Sequence, residues 1–599
     1  MSDQVIVVGG GLAGHAAAHT VLEAGGAVLL LDKSPFCGGN STKATSGING
    51  AGTRAQRAAK IDDSAEIFEQ DTLKSAAAGA RPELIRALTH QSGPAVEWLR
   101  DAFGLKLDLV GQMGAHSRPR THRGGERFPG MMITYALMER FEATCKALPH
   151  RAKLVNKATV TSLLTNQAGE TIGCEYKLDG KIYKAHGAVI LATGGFAADF
   201  GNASLLAASI PNLPKLNDMP TTNGPHCTGD GIKLAQALGA ELADMEFVQV
   251  HPTGLVDPRE PDAKVKWLAA EALRGSGGLL LDARGQRFCN ELGKRDYVSG
   301  RMFQNAGPFR LVLNSRQAAE FEWHCHHYVG RGVMRKFASG HELARDMGVS
   351  IDTLRATFDA YNAAASKQAD PFGKTIFNNV PFRVDDVYHV AQVTPVVHYT
   401  MGGLACNDQG QVLGKAGQAL PGLFAAGEVI GGIHGHNRLG GSSLLDCVVY
   451  GRLAGSAAAR FLLERAVTQA GQGQGGTTSG KNLVEIDWQH RTITLHAGNA
   501  TGVGAAMGAD EAPAETSTPG PEAPPAPPKE LKTYTMEEVA KHNTKGDCWV
   551  VVHDKVYDLT TFLEDHPGGA ASIVAYAGKE ATKAFDMLHS ADILDKVRP

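Results

Sequence analysis

Glu271 and Arg274 stand three residues apart in Ala270-Glu-Ala-Leu-Arg-Gly. On a helix they would share a face and could pass a proton between carboxylate and guanidinium. The same spacing suits an inert salt-bridge network, and the pair alone does not separate the two readings. Arg295 adds a second arginine within Asn290-Glu-Leu-Gly-Lys-Arg-Asp. A third, Arg438, is the only arginine in the glycine-rich stretch Ala425–Asp446, AAGEVIGGIHGHNRLGGSSLLD. It can hold a carboxylate through two parallel hydrogen bonds, and His251 and His398 can donate to carboxylates as well. A carboxylate entering a dry site needs such partners, because burying it unpaired is very costly. In Ala425–Asp446 the glycines let backbone approach a flat ligand, and Ser442–Asp446 reads as a helix start. Its free NH groups and positive dipole end suit a ring edge that becomes anionic on reduction.

Such residues need a scaffold, and the N-terminal stretch supplies its first part. Val5–Val8 is a short apolar run without alternation, as in a buried parallel strand. It leads into Gly9-x-Gly11-x-x-Gly14, an Ala-rich helical pattern and a second run, Ala27–Leu31, that ends at Asp32. Strand, glycine turn, helix, strand, acid is the dinucleotide-binding order, with pyrophosphate at the helix N-terminus and the acid on a ribose hydroxyl. A second loop dense in glycine and small polar residues, Cys37–Asn49, can wrap a long cofactor, which favours FAD over NAD. Residues 60–150 read as mostly helical, and 153–164 and 171–195 as strands. The basic run His116–Arg127 reads as a solvated loop. Trp323-His-Cys-His-His-Tyr328 invites a metal reading, but adjacent histidines mostly point apart.

Composition sets the outer limits. The 599 residues allow several domains, and 59 Lys plus Arg against 62 Asp plus Glu suggests no nucleic-acid partner. Nine cysteines without a C-x-x-C pair argue against a disulfide framework, cysteine-held clusters and attached c-type haem, and favour a reducing compartment. No segment reaches the roughly 20 apolar residues of a membrane helix. The expectation is a cytoplasmic protein, or an organellar one from which a leader has been removed.

With these residues in place, the chain resembles the fumarate reductase and succinate dehydrogenase flavoprotein family, specifically its soluble fumarate reductases. The Cys37–Asn49 loop is similar to theirs, and Gln249-Val-His251-Pro-Thr, Ala270–Gly275, Asn290–Asp296, His398-Tyr-Thr-Met-Gly-Gly403 and His436-Asn-Arg438-Leu-Gly-Gly441 follow in the family's order. The loop lacks the histidine that membrane-complex members use to attach FAD, which implies noncovalent FAD. The resemblance further implies Arg295 as proton donor with Glu271 and Arg274 as its relay, and His251, His398, Arg438 and Gly441 as substrate ligands. Cofactor contacts are implied for Gly9, Gly11, Gly14, Asp32, Lys33, Gly39, Asn40, Ser41, Ala44, Gly47, Thr193, Gly194, Asp230, Tyr399, Glu428, Ser443 and Leu444. Many members carry threonine before the relay glutamate, where this chain has Ala270, and residues around Asp257–Ala263 are additional, as in a surface loop.

Residues 466–530 are rich in Gly, Gln and Pro and read as a tether, with a possible strand pair within 482–495. Beyond it, Tyr534-Thr-x-x-Glu-Val-Ala, Cys548-Trp-Val-Val, Val556-Tyr-Asp-Leu and Phe562-Leu-x-x-His566-Pro-Gly-Gly resemble cytochrome b5. That resemblance implies haem b with His566 and His589 as axial ligands. Two histidines saturate the iron, so the haem would carry electrons only. Residues 531–599 hold eight Lys plus Arg against eleven Asp plus Glu, an acidic surface suited to a basic redox partner.

The fold expected is therefore an α/β doubly wound FAD-binding domain (1–245 and 398–465) interrupted by an α+β capping domain (246–397), then a flexible linker (466–530) and a small α+β cytochrome b5-like domain (531–599). The function expected is reduction of a small dicarboxylate, fumarate, to succinate. No second dinucleotide fingerprint is present, so a separate NAD(P)H-dependent haem reductase would supply electrons. Another enoate, the reverse reaction, or a non-catalytic flavin/haem electron carrier are the alternatives.

Overall fold

The computed structural model describes residues 4–472 apart from 78, 126, 202–203 and 210–218, the strands 483–487 and 492–496, and 533–585 apart from 564–572 and 583–584. The first apolar run forms the strand Gln4–Val8, flanked in parallel by Ala27–Leu31 and Ala188–Leu191. Ala152–Val155 and Ala419–Ala425 extend the parallel sheet, and Gln411–Leu413 adds an antiparallel edge. The inner strands are covered on both faces, which is why they read as unbroken apolar runs. The helix Leu12–Glu23 lies against the long helix Ser442–Gln472. A Cβ at Gly451 or Gly455 would come within 2.7 Å of the carbonyl of Ala13 or Ala17, so small residues let the two backbones touch. The long helix continues to Gln472, beyond the expected boundary at 465.

Two antiparallel strands, Val248–Leu255 and Tyr388–Thr400, carry the chain out to the insertion and back, with His251 opposite Val396. Phe309–Leu313, Leu279–Leu281 and Arg335–Phe337 complete that sheet. The insertion has apolar clusters of its own, one around Leu273, Leu280 and Tyr328, another around Phe358, Tyr361 and Tyr388. The strands Leu483–Asp487 and Thr492–His496 pair antiparallel, as expected for 482–495. At the C-terminal end the strands Asp547–Val552 and Lys555–Asp558 pack a small core with Cys548, Tyr557, Leu563 and Ile573. His566 and His589 lie outside the described residues. Among the described residues, no helix is long and apolar enough to cross a membrane.

One expectation fails here. His116–Arg127 is not a solvated loop: His116, Arg120, Thr121 and His122 are buried. Arg120 is fully enclosed, donating to Asp63 (2.9 and 3.0 Å) and to Asp71 (2.6 Å). The compensating carboxylates come from about fifty residues upstream, and only folding brings them beside the run.

Candidate active site

The short helix Glu271–Gly275 points its acid and its arginine into the interior, where both are buried. Glu271 Oε2 accepts from Arg295 Nε at 2.8 Å and also from Arg295 Nη2, making a forked ion pair at the start of the helix Arg295–Phe303. On its other side, Glu271 Oε1 lies 3.7 Å from Arg274 Nη2. Arg274, Glu271 and Arg295 thus form a continuous line. Burial alone would raise the Glu271 carboxyl, but Arg295, with His251 and Arg274, holds it well below the usual carboxylate range. Burial lowers the Arg274 guanidinium, and Arg295 adds to that.

Gln249 connects this line to the glycine-rich stretch. Its Oε1 accepts from Arg295 Nη1 at 2.6 Å and from Arg438 Nη2 at 3.1 Å, while its Nε2 donates to the Arg438 carbonyl at 2.9 Å. Arg438 lies over the Tyr399 ring at 4.3 Å, and burial, then Arg295, lowers its guanidinium to about 10. His251 and His398 come from the two crossing strands, with ring centroids 5.1 Å apart. His251 Nδ1 accepts from the Thr253 backbone NH at 3.2 Å, so the neutral ring carries its proton on Nε2. Burial, reinforced by Arg295, lowers His251 to about 3, and burial with His251 drives His398 well below its usual value. Both rings are neutral donors or acceptors rather than cations. Buried atoms left without a partner include His251 Nε2, Arg274 Nε and Nη2, and Arg438 Nε. Two guanidiniums flanking one glutamate, a third joined to them through Gln249, and spare donors make a pocket suited to anions.

Three residues that sequence reasoning did not single out shape the site. Gln249 stood inside a quoted motif without a role. Gly440 packs on the ion pair, where a Cβ would lie 2.9 Å from Glu271 Oε2, whereas a Cβ at Gly441 would meet Asn49. Tyr328 OH accepts from the Ala270 NH at 3.2 Å and donates to the Leu268 carbonyl at 3.0 Å, steadying the start of the relay helix, where Ala270 has no hydroxyl of its own. Tyr328 belongs to the Trp323–Tyr328 run, whose histidines diverge. His324 faces the Thr45 carbonyl at 3.2 Å, His327 stacks on Trp323, and His326 is exposed.

The expected cofactor residues gather along one path. Gly14 sits where a Cβ would overlap the Gly9 carbonyl at 1.9 Å, so the glycine turn is sterically required. Asp32 accepts from the Gly10 and Ser34 backbone NH groups at 2.6 and 2.7 Å, ordering that turn. Lys33 pairs with Asp230 at 2.7 Å. Ser41 Oγ accepts from Leu12 NH at 3.3 Å, the Asn40 side chain bridges Gly224 and Asn223, and the Ala44 carbonyl accepts from Gly130. A Cβ at Gly39 would come no nearer than 3.8 Å to any neighbour, and one at Gly47 would strike the His122 carbonyl. Gly194, with φ +74°, faces space open to at least 4 Å, and neighbouring Thr193 Oγ1 is buried without a partner. Tyr399 OH donates to Asp446, whose other oxygen is also unpartnered, one turn from Ser443 and Leu444. Glu428 accepts from Thr400 N and Oγ1, and burial raises it to about 7. Open glycine surfaces and orphaned polar atoms along this path fit FAD.

Comparison with known proteins agrees with the geometry. Residues 4–444 match a family described as FAD binding domain, and 535–598 match one described as cytochrome b5-like heme/steroid binding domain. A fumarate reductase of Schizosaccharomyces pombe is 46% identical, covering 78% of this chain and 91% of its own. Fumarate reductase 1 of Saccharomyces cerevisiae is 40% identical, covering 75% and 97%. The chain belongs to the fumarate reductase family. It is a flavoprotein oxidoreductase of the CH–CH class with FAD and haem b as cofactors. A solved flavocytochrome c3 fumarate reductase in an open conformation shares 31% identity and a TM-score of 0.62, covering 77% of this chain and 79% of that one.

Proposed function

We propose that this fumarate reductase family member reduces fumarate to succinate at the Glu271–Arg295 site, with electrons entering through its own b-type haem. The observation that carries the reading is the buried line of Arg274, Glu271, Arg295, Gln249 and Arg438, three guanidiniums to one carboxylate, beside two neutral histidines. Two carboxylates entering this pocket would offset its excess positive charge, which favours a small diacid over a steroid or a monoacid.

Reduced FAD would supply a hydride to one alkene carbon. Arg438 and His398 would hold one carboxylate, and His251 Nε2–H would reach the other. Arg295 would give its proton to the second alkene carbon, so that hydride and proton together saturate the double bond. Glu271 would return a proton to Arg295 from Arg274, at 3.7 Å, in a pocket closed to water. His566 and His589 would hold the haem, and a separate NAD(P)H-dependent reductase would reduce it.

The test is anaerobic. The haem of the holoprotein is reduced, fumarate is added, and the haem absorption band is followed while succinate is assayed. Oxidation of the band with succinate formed is expected. If the haem stays reduced while a small dye donor still drives succinate formation, the haem route is wrong. If neither donor works on fumarate but urocanate or acrylate is reduced, the substrate is wrong.

A further inference from the structure

Apart from Tyr328, the Trp323–Tyr328 run and the extra Asp257–Ala263 loop take no part in the chemistry above, yet they meet on one face of the insertion. Arg331, which ends the helix Glu322–Gly330, lies 3.6 Å over the Trp267 ring and donates to His327 Nε2 at 3.1 Å. Its carbonyl accepts from Arg259, which is itself paired with Asp257 of the extra loop. Among the described residues, no carboxylate lies within ion-pair distance of Arg331, which is half-buried. A half-buried guanidinium with no carboxylate beside it leaves donors for a further partner.

The same chain supplies a neighbour. Tyr576 of the C-terminal module lies near Arg331, its phenol a neutral group able to accept from a guanidinium. Phe562 of the module meets Phe36 edge-on, with ring centroids 5.5 Å apart. Phe36 belongs to the loop between Asp32 and the cofactor glycines, whereas Arg331 belongs to the insertion. Phe562 and Tyr576 both border the module's core cluster. The module's acidic balance, eight basic against eleven acidic residues, suits the Arg331 end of this face, where Lys264, Lys266 and Arg331 outweigh the loop acids left after Asp257 pairs with Arg259. The face is also joined to the chemistry. The helix Glu322–Gly330 is tied to the flavin loop through His324 and Thr45, and to the relay helix through Tyr328 and Ala270.

We propose that Phe36 together with the Trp267–Arg331 face forms the docking seat of the chain's own haem module, a seat that straddles the FAD-binding domain and its cap. Because both partners belong to one chain, a weak interface is enough to populate the docked form. A docked module touches both sides of the seam, so it holds the cap against the flavin domain while electrons pass. This rests on the haem route proposed above.

The test uses the full holoprotein and its Phe36→Asp, Arg331→Glu and Arg331→Glu/Tyr576→Lys variants. Fumarate is mixed with enzyme whose haem is already reduced, and haem oxidation is compared with dye-driven fumarate reduction. Each single variant is expected to slow haem oxidation at least tenfold and leave dye-driven turnover within twofold. The double variant, which sets a lysine near the new glutamate, is expected to recover most of the loss. Unchanged haem oxidation in both single variants overturns the seat, and so does a parallel fall in dye-driven turnover, because the residues would then serve the fold. If wild-type haem is not oxidised by fumarate at all, the haem route itself falls.

Discussion

Two clusters of buried charge share Glu291. Through its side chain it joins Arg287 (2.7 and 2.8 Å) and Lys374 (3.0 Å), with Arg287 also donating to Asp370 at 2.6 Å. Through its carbonyl it accepts from Arg274 of the relay. In the first cluster two acids face two bases, all enclosed and bonded to each other. In the second, two arginines flank one glutamate, a third reaches them through Gln249, and several donors have no partner. Burial is common to both, so burial does not mark the site. The mark is imbalance: a scaffold network satisfies itself, whereas a substrate pocket keeps charge and donors in reserve for an anion.

That contrast is open to attack at both ends. Arg295→Gln is expected to cut dye-driven fumarate reduction roughly 10²- to 10⁴-fold while lowering stability less than a break in the balanced cluster, because Arg274 stays beside Glu271. Normal turnover in this variant would remove the assigned proton donor. Glu291→Gln, in the balanced cluster, should do the reverse: a loss of about 3–5 kcal/mol in denaturant unfolding, because two cations are left buried and underpaired. Its folded fraction should turn over within a few-fold of wild type. Equal stability in urea would show that the balanced cluster is not structural.

Glu428 sharpens the comparison through pH. Its folded value of about 7 lies above its ordinary 4.5, so the native state holds the proton more tightly than the unfolded chain. Stability contributed by that proton is full below about 4.5 and is lost as pH rises to about 7. In flavin-free protein, Glu428→Gln should flatten this fall, worth on the order of 3 kcal/mol, and unfolding curves at pH 5 and pH 8 would measure it. The smallest effect is expected at Gln249. Gln249→Leu removes the acceptor shared by Arg295 and Arg438, and should raise the fumarate KM about tenfold with a lesser change in kcat. A variant with unaltered kinetics would make Gln249 a bystander.

Much of the architecture was legible because it is local. A glycine turn followed by a helix, a second apolar run and an acid reads as the start of a doubly wound sheet, and Gly14 shows why no other residue fits there. The three-residue spacing of Glu271 and Arg274 does place them side by side. What was misread depended on distant partners. His116–Arg127 looked solvated because Asp63 and Asp71, which neutralise Arg120, are far away in sequence. Tyr328 was hidden in a run that looked metal-binding, since only folding brings its hydroxyl to Ala270. Gln249 carries no charge, and its two arginines lie 46 and 189 residues further on.

The sequence by itself determined the secondary structure, the cofactor turn, the family and the chemical types present at the site. Tertiary structure decided which charges meet and which remain unmatched. Side-chain type and short-range spacing are properties of the chain, whereas pairing, dehydration and the resulting shifts of His251, Glu271 and Arg438 arise only when segments far apart in sequence close around one another.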